Sequence, residues 1–353
     1  MEDFLENHYY YNNDGIKDEI VNSLGDCLVQ CAYLILKNRD DFKSDYYTAF
    51  LNETTLKLSV NSDDELIAFE TIENIYDKDL FSIMGCENTN QNTADKVSEI
   101  LQSGGIPAIA AIIERFPFSC FYDVNYKNKK KRTRHVFIIV GEDDENFLYV
   151  DNPDVISPKR YIAYDKNKEI GIISKKLFRD ATQFCCDVLT FRFDMNMLIS
   201  YIDNPKEVLI KSRDNYYKKG VHKDNQLDYF GRQVLLKLID LFEEECLRFD
   251  DLAPSKDRNM ITYFNWKIWN IKGRRSLQRY YFKNNCNTNN IIHLITALEE
   301  SIKNWDLLYK VLNKDYLKRV LVIGKKYIPI IENIIIAEDE LQQVLRRYLD
   351  FNG

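Results

Sequence analysis

The chain has 353 residues, 45% hydrophobic and 29% charged, which gives room for two domains and excludes a disordered or fibrous protein. Its 48 basic and 55 acidic residues leave a net charge of −7, unsuited to a general nucleic-acid binder, which needs a basic face to displace counterions. No apolar run approaches the ~20 residues that span a bilayer. The opening MEDFLENHYYYNN has neither the basic nor the apolar region of a signal peptide, so the expectation is a cytoplasmic protein without membrane contact. Eight cysteines and four histidines are present without a single CxxC pair, a pattern that provides no zinc-ligand spacing and predicts no metal site.

In chain order, residues 27–38 (CLVQCAYLILKN) read as a helix, with Asp26 placed to cap it. Segments 63–84 and 93–103 read as further helices, the second closed by Gly104-Gly105. The pattern then turns to strands: 106–113 (IPAIAAII), 136–140 (VFIIV), 147–150 (FLYV), a short one over 161–164, and 187–193 (DVLTFRF). Residues 141–146 (GEDDEN) between the second and third read as a hairpin turn. Beyond residue 200 the periodicity is helical over 227–249, 289–313 and 315–349, and Pro329 is expected to kink or split the last of these. The fold class is therefore α+β: helices packed on an antiparallel sheet in residues 1–203, then an all-helical domain over 204–353, with the boundary near 203–212. The aromatic cluster Asn265-Trp266-Lys267-Ile268-Trp269 reads as core rather than as an acceptor pocket.

Three residues suggest chemistry. Cys27 falls in the first turn of its helix, where unpaired N–H groups and the helix dipole favour a thiolate; Cys31 lies one turn deeper. Either could equally be a small core residue. His135 heads a strand and can project from its end toward a nucleophile on another element, or be an ordinary buried histidine. Asp151 ends the next strand, 16 residues on. If the two strands form a hairpin, His135 and Asp151 are cross-strand neighbours, and the carboxylate can orient the imidazole toward Cys27.

Three motifs carry a resemblance: Asp26-Cys27-Leu-Val-Gln-Cys31, Gly105-Ile106-Pro107-Ala-Ile-Ala-Ala-Ile, and His135 through Gly141-Glu-Asp-Asp to Asp151-Asn-Pro153. Over residues 15–195 the chain resembles the papain-fold bacteriocin-processing peptidases and, more closely, the N-terminal domain of the butirosin-type acyltransferases. An amide-forming enzyme of closthioamide-type polythioamide assembly fits the same description. The resemblance implies a papain-like fold and a thioester acyl-enzyme on Cys27, with His135 as acid and base. It also implies an acyl donor on a carrier protein, whose phosphopantetheine is the only prosthetic group required, and a small amine as acceptor.

The peptidases place a glutamine six residues before the cysteine to complete the oxyanion hole; that position here is Val21. Asn22, one residue off, is the candidate replacement, with Gln30 ranked lower. Losing an oxyanion donor costs a protease about 10²–10³ in rate, whereas an activated thioester needs less help. That balance favours thioester exchange over peptide hydrolysis. The basic run through Lys127, Lys129, Lys130, Lys131, Arg132 and Arg134 adjoins His135 and reads either as a solvated loop or as a dock for an acidic carrier protein. Two alternatives stand beside the acyltransferase: a cysteine peptidase that processes a peptide precursor, and a degenerate papain fold used only for binding.

Overall fold

A computed structural model describes residues 19–24, 26–51, 54–71, 81–86, 93–122, 134–152, 155–165, 170–183, 186–203, 205–223, 225–254, 259–285 and 290–351. From the N-terminus run α1 (Glu19–Ser23), α2 (Cys27–Lys37), β1 (Leu56–Asn61), β2 (Leu66–Thr71), β3 (Phe81–Cys86) and α3 (Thr93–Gln102). Next come β4 (Ala108–Ile112), β5 (Arg134–Glu142), β6 (Asn146–Val150), β7 (Ala163–Asp165), β8 (Ile170–Ser174), α4 (Lys175–Thr182) and β9 (Cys186–Phe193). Then follow α5 (Met195–Asp203), α6 (Pro205–Tyr216), β10 (Val221–Lys223), β11 (Gln226–Phe230), α7 (Arg232–Glu243) and β12 (Leu247–Arg248). The chain closes with α8 (Met260–Asn285), α9 (Asn290–Leu317), β13 (Val322–Ile323) and α10 (Ile328–Phe351). Among the described residues no helix is long and apolar enough to cross a membrane.

Two compact units emerge. One takes in residues 1–22, 26–46 and 78–198; the other 23–25, 47–77 and 199–353. The first unit is built on a seven-stranded sheet in the order β3-β9-β4-β5-β6-β8-β7, antiparallel throughout. Interior strand β4 is buried along its whole length (AIAAI). Helix α3 ends where the apolar pattern predicts: Gly104 takes φ +81, and the Gly104 and Gly105 N–H groups donate to Leu101 and Ile100 carbonyls at 2.9 Å each. Phe116, Phe118, Phe137, Phe147, Tyr149 and Phe178 share one buried core with α3 and α4 residues. Phe118 and Tyr149 stack at 4.1 Å between centroids.

The second unit contains a four-stranded sheet, β10-β11-β1-β2, and the long helices α8, α9 and α10. It is not all-helical, and it recruits residues 47–77, which the sequence pattern assigned to the first domain. The cause is a pairing between distant segments: β1 lies antiparallel to β11, with Lys57 opposite Phe230 and Asn61 opposite Gln226. The boundary also differs. The division between units falls between Leu198 and Ile199, and 203–212 is helical on either side of Asn204, with Pro205 opening α6.

Three predicted helices are corrected. Segment 63–84 contains β2 and the start of β3, residues 72–80 lying outside the described ones. The turn before β2 is fixed by Asn61, whose Oδ1 accepts the N–H groups of Asp63 (3.0 Å) and Glu65 (2.8 Å), and by Asp64 at φ +59. Segment 227–249 divides at Gly231 into β11 and α7. Gly231 takes φ +45 and a Cβ there would lie 2.4 Å from the Tyr216 Cα and carbonyl oxygen, so only glycine fits. The final pair of helices breaks earlier than Pro329: α9 continues to Leu317, Arg319 takes φ +58, and Pro329 is the second residue of α10, where its missing N–H costs no hydrogen bond. In the aromatic cluster Ile268 is buried, Trp266 and Trp269 are half-buried, and the Lys267 ammonium sits 4.0 Å from the Trp266 ring centre.

Candidate functional site

Asp26 starts α2. Its backbone is extended at φ −143, ψ 131, and its Oδ1 accepts the N–H groups of Leu28 at 2.8 Å and Val29 at 3.3 Å. Cys27 is thereby the first residue of the helix, half-buried, with an N–H that no carbonyl of the same helix can reach. Cys31 is buried in the next turn. Its thiol is pushed well above its ordinary pKa, first by burial and then by the negative charges of Cys27, Asp151 and Asp26. The two sulfurs are therefore unlike: burial keeps Cys31 a neutral thiol, while Cys27 is the one among the causes of the His135 shift.

His135 is the second residue of β5 and is 8% exposed. Its Nε2 lies 2.6 Å from Asp151 Oδ1. A carboxylate only accepts, so the proton between them belongs to the ring, and Nδ1 remains for another partner. Cys27 is close enough to the same ring to be among the groups that raise its pKa. Burial by itself would hold His135 below its ordinary pKa. The charge and hydrogen bond of Asp151, aided by the hydrogen bond and charge of Cys27, overcome that and raise it well above.

The route by which His135 and Asp151 meet differs from the expected facing pair. β5 pairs with β6 with Ile138 opposite Val150 and a register shift between Ile139 and Gly141. Continued by one residue, that register sets Asp151 level with Phe137, so the contact runs diagonally. The hairpin turn is also tighter than 141–146. β5 includes Gly141 and Glu142, and Asp143 Oδ1 accepts the N–H groups of Glu145 (2.8 Å) and Asn146 (2.6 Å).

Asp151 is 4% exposed. Its Oδ1 also accepts the Asn152 N–H at 2.7 Å, while Oδ2 has no hydrogen-bond partner among the described residues. Asn152 is a participant for which the sequence suggested no role, and Gln30, ranked low there as an oxyanion donor, takes a different one. Asn152 Nδ2 donates to Gln30 Oε1 at 3.2 Å, and Gln30 Nε2 donates to the Val21 carbonyl at 3.1 Å. Gln30 is 4% exposed and each end of its amide already has a partner in the protein. A signal for it existed: a glutamine at a core position, three residues past Cys27 in an otherwise apolar helix.

The remaining candidates divide. Asn22 lies on α1, and its side chain is outside the described residues, as are Lys127, Lys129, Lys130, Lys131 and Arg132. Arg134 is described and is ion-paired with Asp187, on β9 across β4, so its charge is partly spent within the sheet. Among the described residues no group of three or more His, Cys, Asp or Glu could hold a metal ion.

Thiol, imidazole and carboxylate thus lie together in the first unit, a buried base held by its carboxylate with a half-buried sulfur acting on the same ring. Such an arrangement can perform nucleophilic acyl transfer. No family model matches this chain, and no curated protein matches its sequence.

Proposed function

We propose that the protein is a papain-like cysteine acyltransferase that takes an acyl group from a carrier-protein thioester and passes it to an amine, forming an amide. The observation that carries this reading is the 2.6 Å contact between His135 Nε2 and Asp151 Oδ1, which leaves Nδ1 for Cys27 at the first position of α2. Cys27 Sγ attacks the thioester carbonyl; its new C–S bond forms as the bond to the carrier's sulfur breaks, and His135 returns a proton to that sulfur. An amine then attacks the acyl-enzyme, the C–N bond forms, the C–S bond to Cys27 breaks, and His135 takes the proton the amine loses.

Val21 at the position of the peptidases' glutamine favours an activated ester over a peptide bond. The antiparallel sheet of the first unit, with β5 and β6 carrying His135 and leading into Asp151, agrees with a papain-like domain, and the basic run through Lys129 and Arg132 with a docking surface for an acidic carrier. The test offers purified protein a short-chain acyl-pantetheine thioester and a panel of diamines. Acylation of Cys27, read by intact mass and peptide mapping, followed by amide release on addition of amine, is the expected result. Cleavage of peptides without thioester acylation would establish peptidase activity instead, and no adduct on Cys27 under any condition would overturn the reading.

A further inference from the structure

Gln30 touches three parts of the site at once. Its own helix carries Cys27 three residues earlier; its Oε1 holds Asn152, whose N–H is bonded to Asp151 at 2.7 Å; and its Nε2 holds the Val21 carbonyl at 3.1 Å. Val21 and Asn22 are consecutive on α1, a helix of only five residues that is too short to hold its own orientation. Gln30 is 4% exposed and Asn152 7%, so both bonds lie away from competing water, where a broken bond leaves a buried polar group unsatisfied.

We infer that Gln30 is a positioning residue that locks the α1 segment bearing Asn22 against the Cys27 helix, and so sets the oxyanion side of the site separately from the acid–base side. This inference rests on the acyltransferase reading above. The two sides are separable because the Asp151–His135 contact does not pass through Gln30, whereas the Val21 carbonyl is held by it directly.

Two reactions of Cys27 distinguish the sides. Alkylation by iodoacetamide is a displacement at carbon that forms no tetrahedral oxyanion, so it reports the sulfur and its imidazole alone. Acylation by an acyl-pantetheine thioester passes through an oxyanion and reports both sides. In Gln30→Met, of similar length but without either hydrogen bond, acylation is expected to fall about 10- to 100-fold, up to the cost of a small misplacement and the lower end of that of a lost oxyanion donor. Alkylation should change less than about 3-fold, since the Asp151–His135 contact that governs it persists. Gln30→Glu adds a rescue arm. A protonated carboxyl can donate to the Val21 carbonyl and accept from Asn152, while the ionised form repels that carbonyl, so the ratio of acylation to alkylation should approach wild type at acidic pH and drop as pH rises.

A ratio within about 2-fold of wild type in both variants, or both reactions falling by one common factor, overturns the positioning role; the second outcome marks a residue that serves stability alone. Should Gln30→Met fail to fold, the pH dependence of the ratio in Gln30→Glu decides. A wild-type protein that is alkylated at Cys27 but never acylated overturns the acyltransferase reading and this inference together, whereas wild-type acylation with unaffected variants overturns this inference alone.

Discussion

Asp151 offers the sharpest test of the site, because two substitutions remove different shares of its contact with His135. A hydrogen bond to a charged group contributes about 1.5–3 kcal/mol and a neutral one about 0.5–1.5 kcal/mol. In Asp151→Asn the side-chain oxygen can still accept from His135 Nε2 and from the Asn152 N–H, now 2.6 and 2.7 Å from Oδ1. The added NH₂ takes the place of Oδ2, which has no partner among the described residues. Only charge assistance is lost, about 1–1.5 kcal/mol, which converts to about 5- to 13-fold in rate at 1.36 kcal/mol per decade. In Asp151→Ala the whole contact goes, about 13- to 160-fold by the same conversion.

The pH profile must move as well. Asp151 is the main reason His135 holds its proton above its ordinary pKa, against burial that lowers it. Without the carboxylate, burial acts with less opposition, so the alkaline limb of the acylation profile should shift to lower pH. Linkage gives the sign for stability: a raised histidine contributes stability below the unfolded-state value of about 6.5, lost as pH rises through the folded-state value. The difference in urea stability between wild type and Asp151→Ala should therefore be larger in mild acid than in alkali. The assay is single-turnover acylation of Cys27 across pH, alongside urea melts. Equal rates in the Asn and Ala variants, or an unmoved alkaline limb, would show that Asp151 does not govern the His135 proton.

Three further outcomes follow from the geometry. Iodoacetamide near neutral pH should modify Cys27 fastest, as read by peptide mapping; Cys27→Ala should abolish that fast phase and Cys31→Ala should leave it, because burial keeps Cys31 a neutral thiol. In the second unit, Glu338→Ala strips the buried Arg275 of contacts at 2.5 and 3.3 Å and Ser301 and Trp305 of theirs at 2.6 and 3.0 Å. The expected loss is about 3–5 kcal/mol by urea unfolding, the cost of an uncompensated buried charge, and a loss under about 1 kcal/mol would contradict it. Gly231→Ala forces a Cβ to within 2.4 Å of the Tyr216 backbone at φ +45; the left-handed backbone alone costs about 1–3 kcal/mol, so a melting temperature equal to wild type would be inconsistent with this crossing.

Local signals located those parts of the fold that depend on neighbours in sequence. The α2 start was legible because Asp26 and the Leu28 and Val29 N–H groups that it caps lie within four residues of chain. The strands around His135 and Asp151 were legible because VFIIV and FLYV are short, apolar and β-branched or aromatic. Where the reading erred, the deciding interaction was remote or hidden in a turn. ELIAFE becomes a strand because Asn61 folds a tight turn ahead of it and β1 finds β11 about 170 residues later, a pairing that no window of 11–18 residues contains. DYFG ended a strand rather than continuing a helix because Gly231 lies against the Tyr216 backbone, again a distant partner.

The site divides along the same line. Cys27, His135 and Asp151 were visible as residue types suited to the chemistry, and a hairpin sufficed to bring two of them together. Gln30 and Asn152 are of types that any surface might carry, and their meaning lies wholly in what they reach: one amide that spans from the Val21 carbonyl to the neighbour of Asp151. Reactive groups must be chemically special and so stand out in a sequence, whereas the groups that hold them need only hydrogen-bond capacity at the right place. The register shift between Ile139 and Gly141 makes the point for the backbone. The contact between His135 and Asp151 is diagonal rather than facing, so its 2.6 Å length depends on side-chain reach and on whatever fixes Asp151. The Asn152 N–H, bonded to the same Oδ1, is a described group in position to do so.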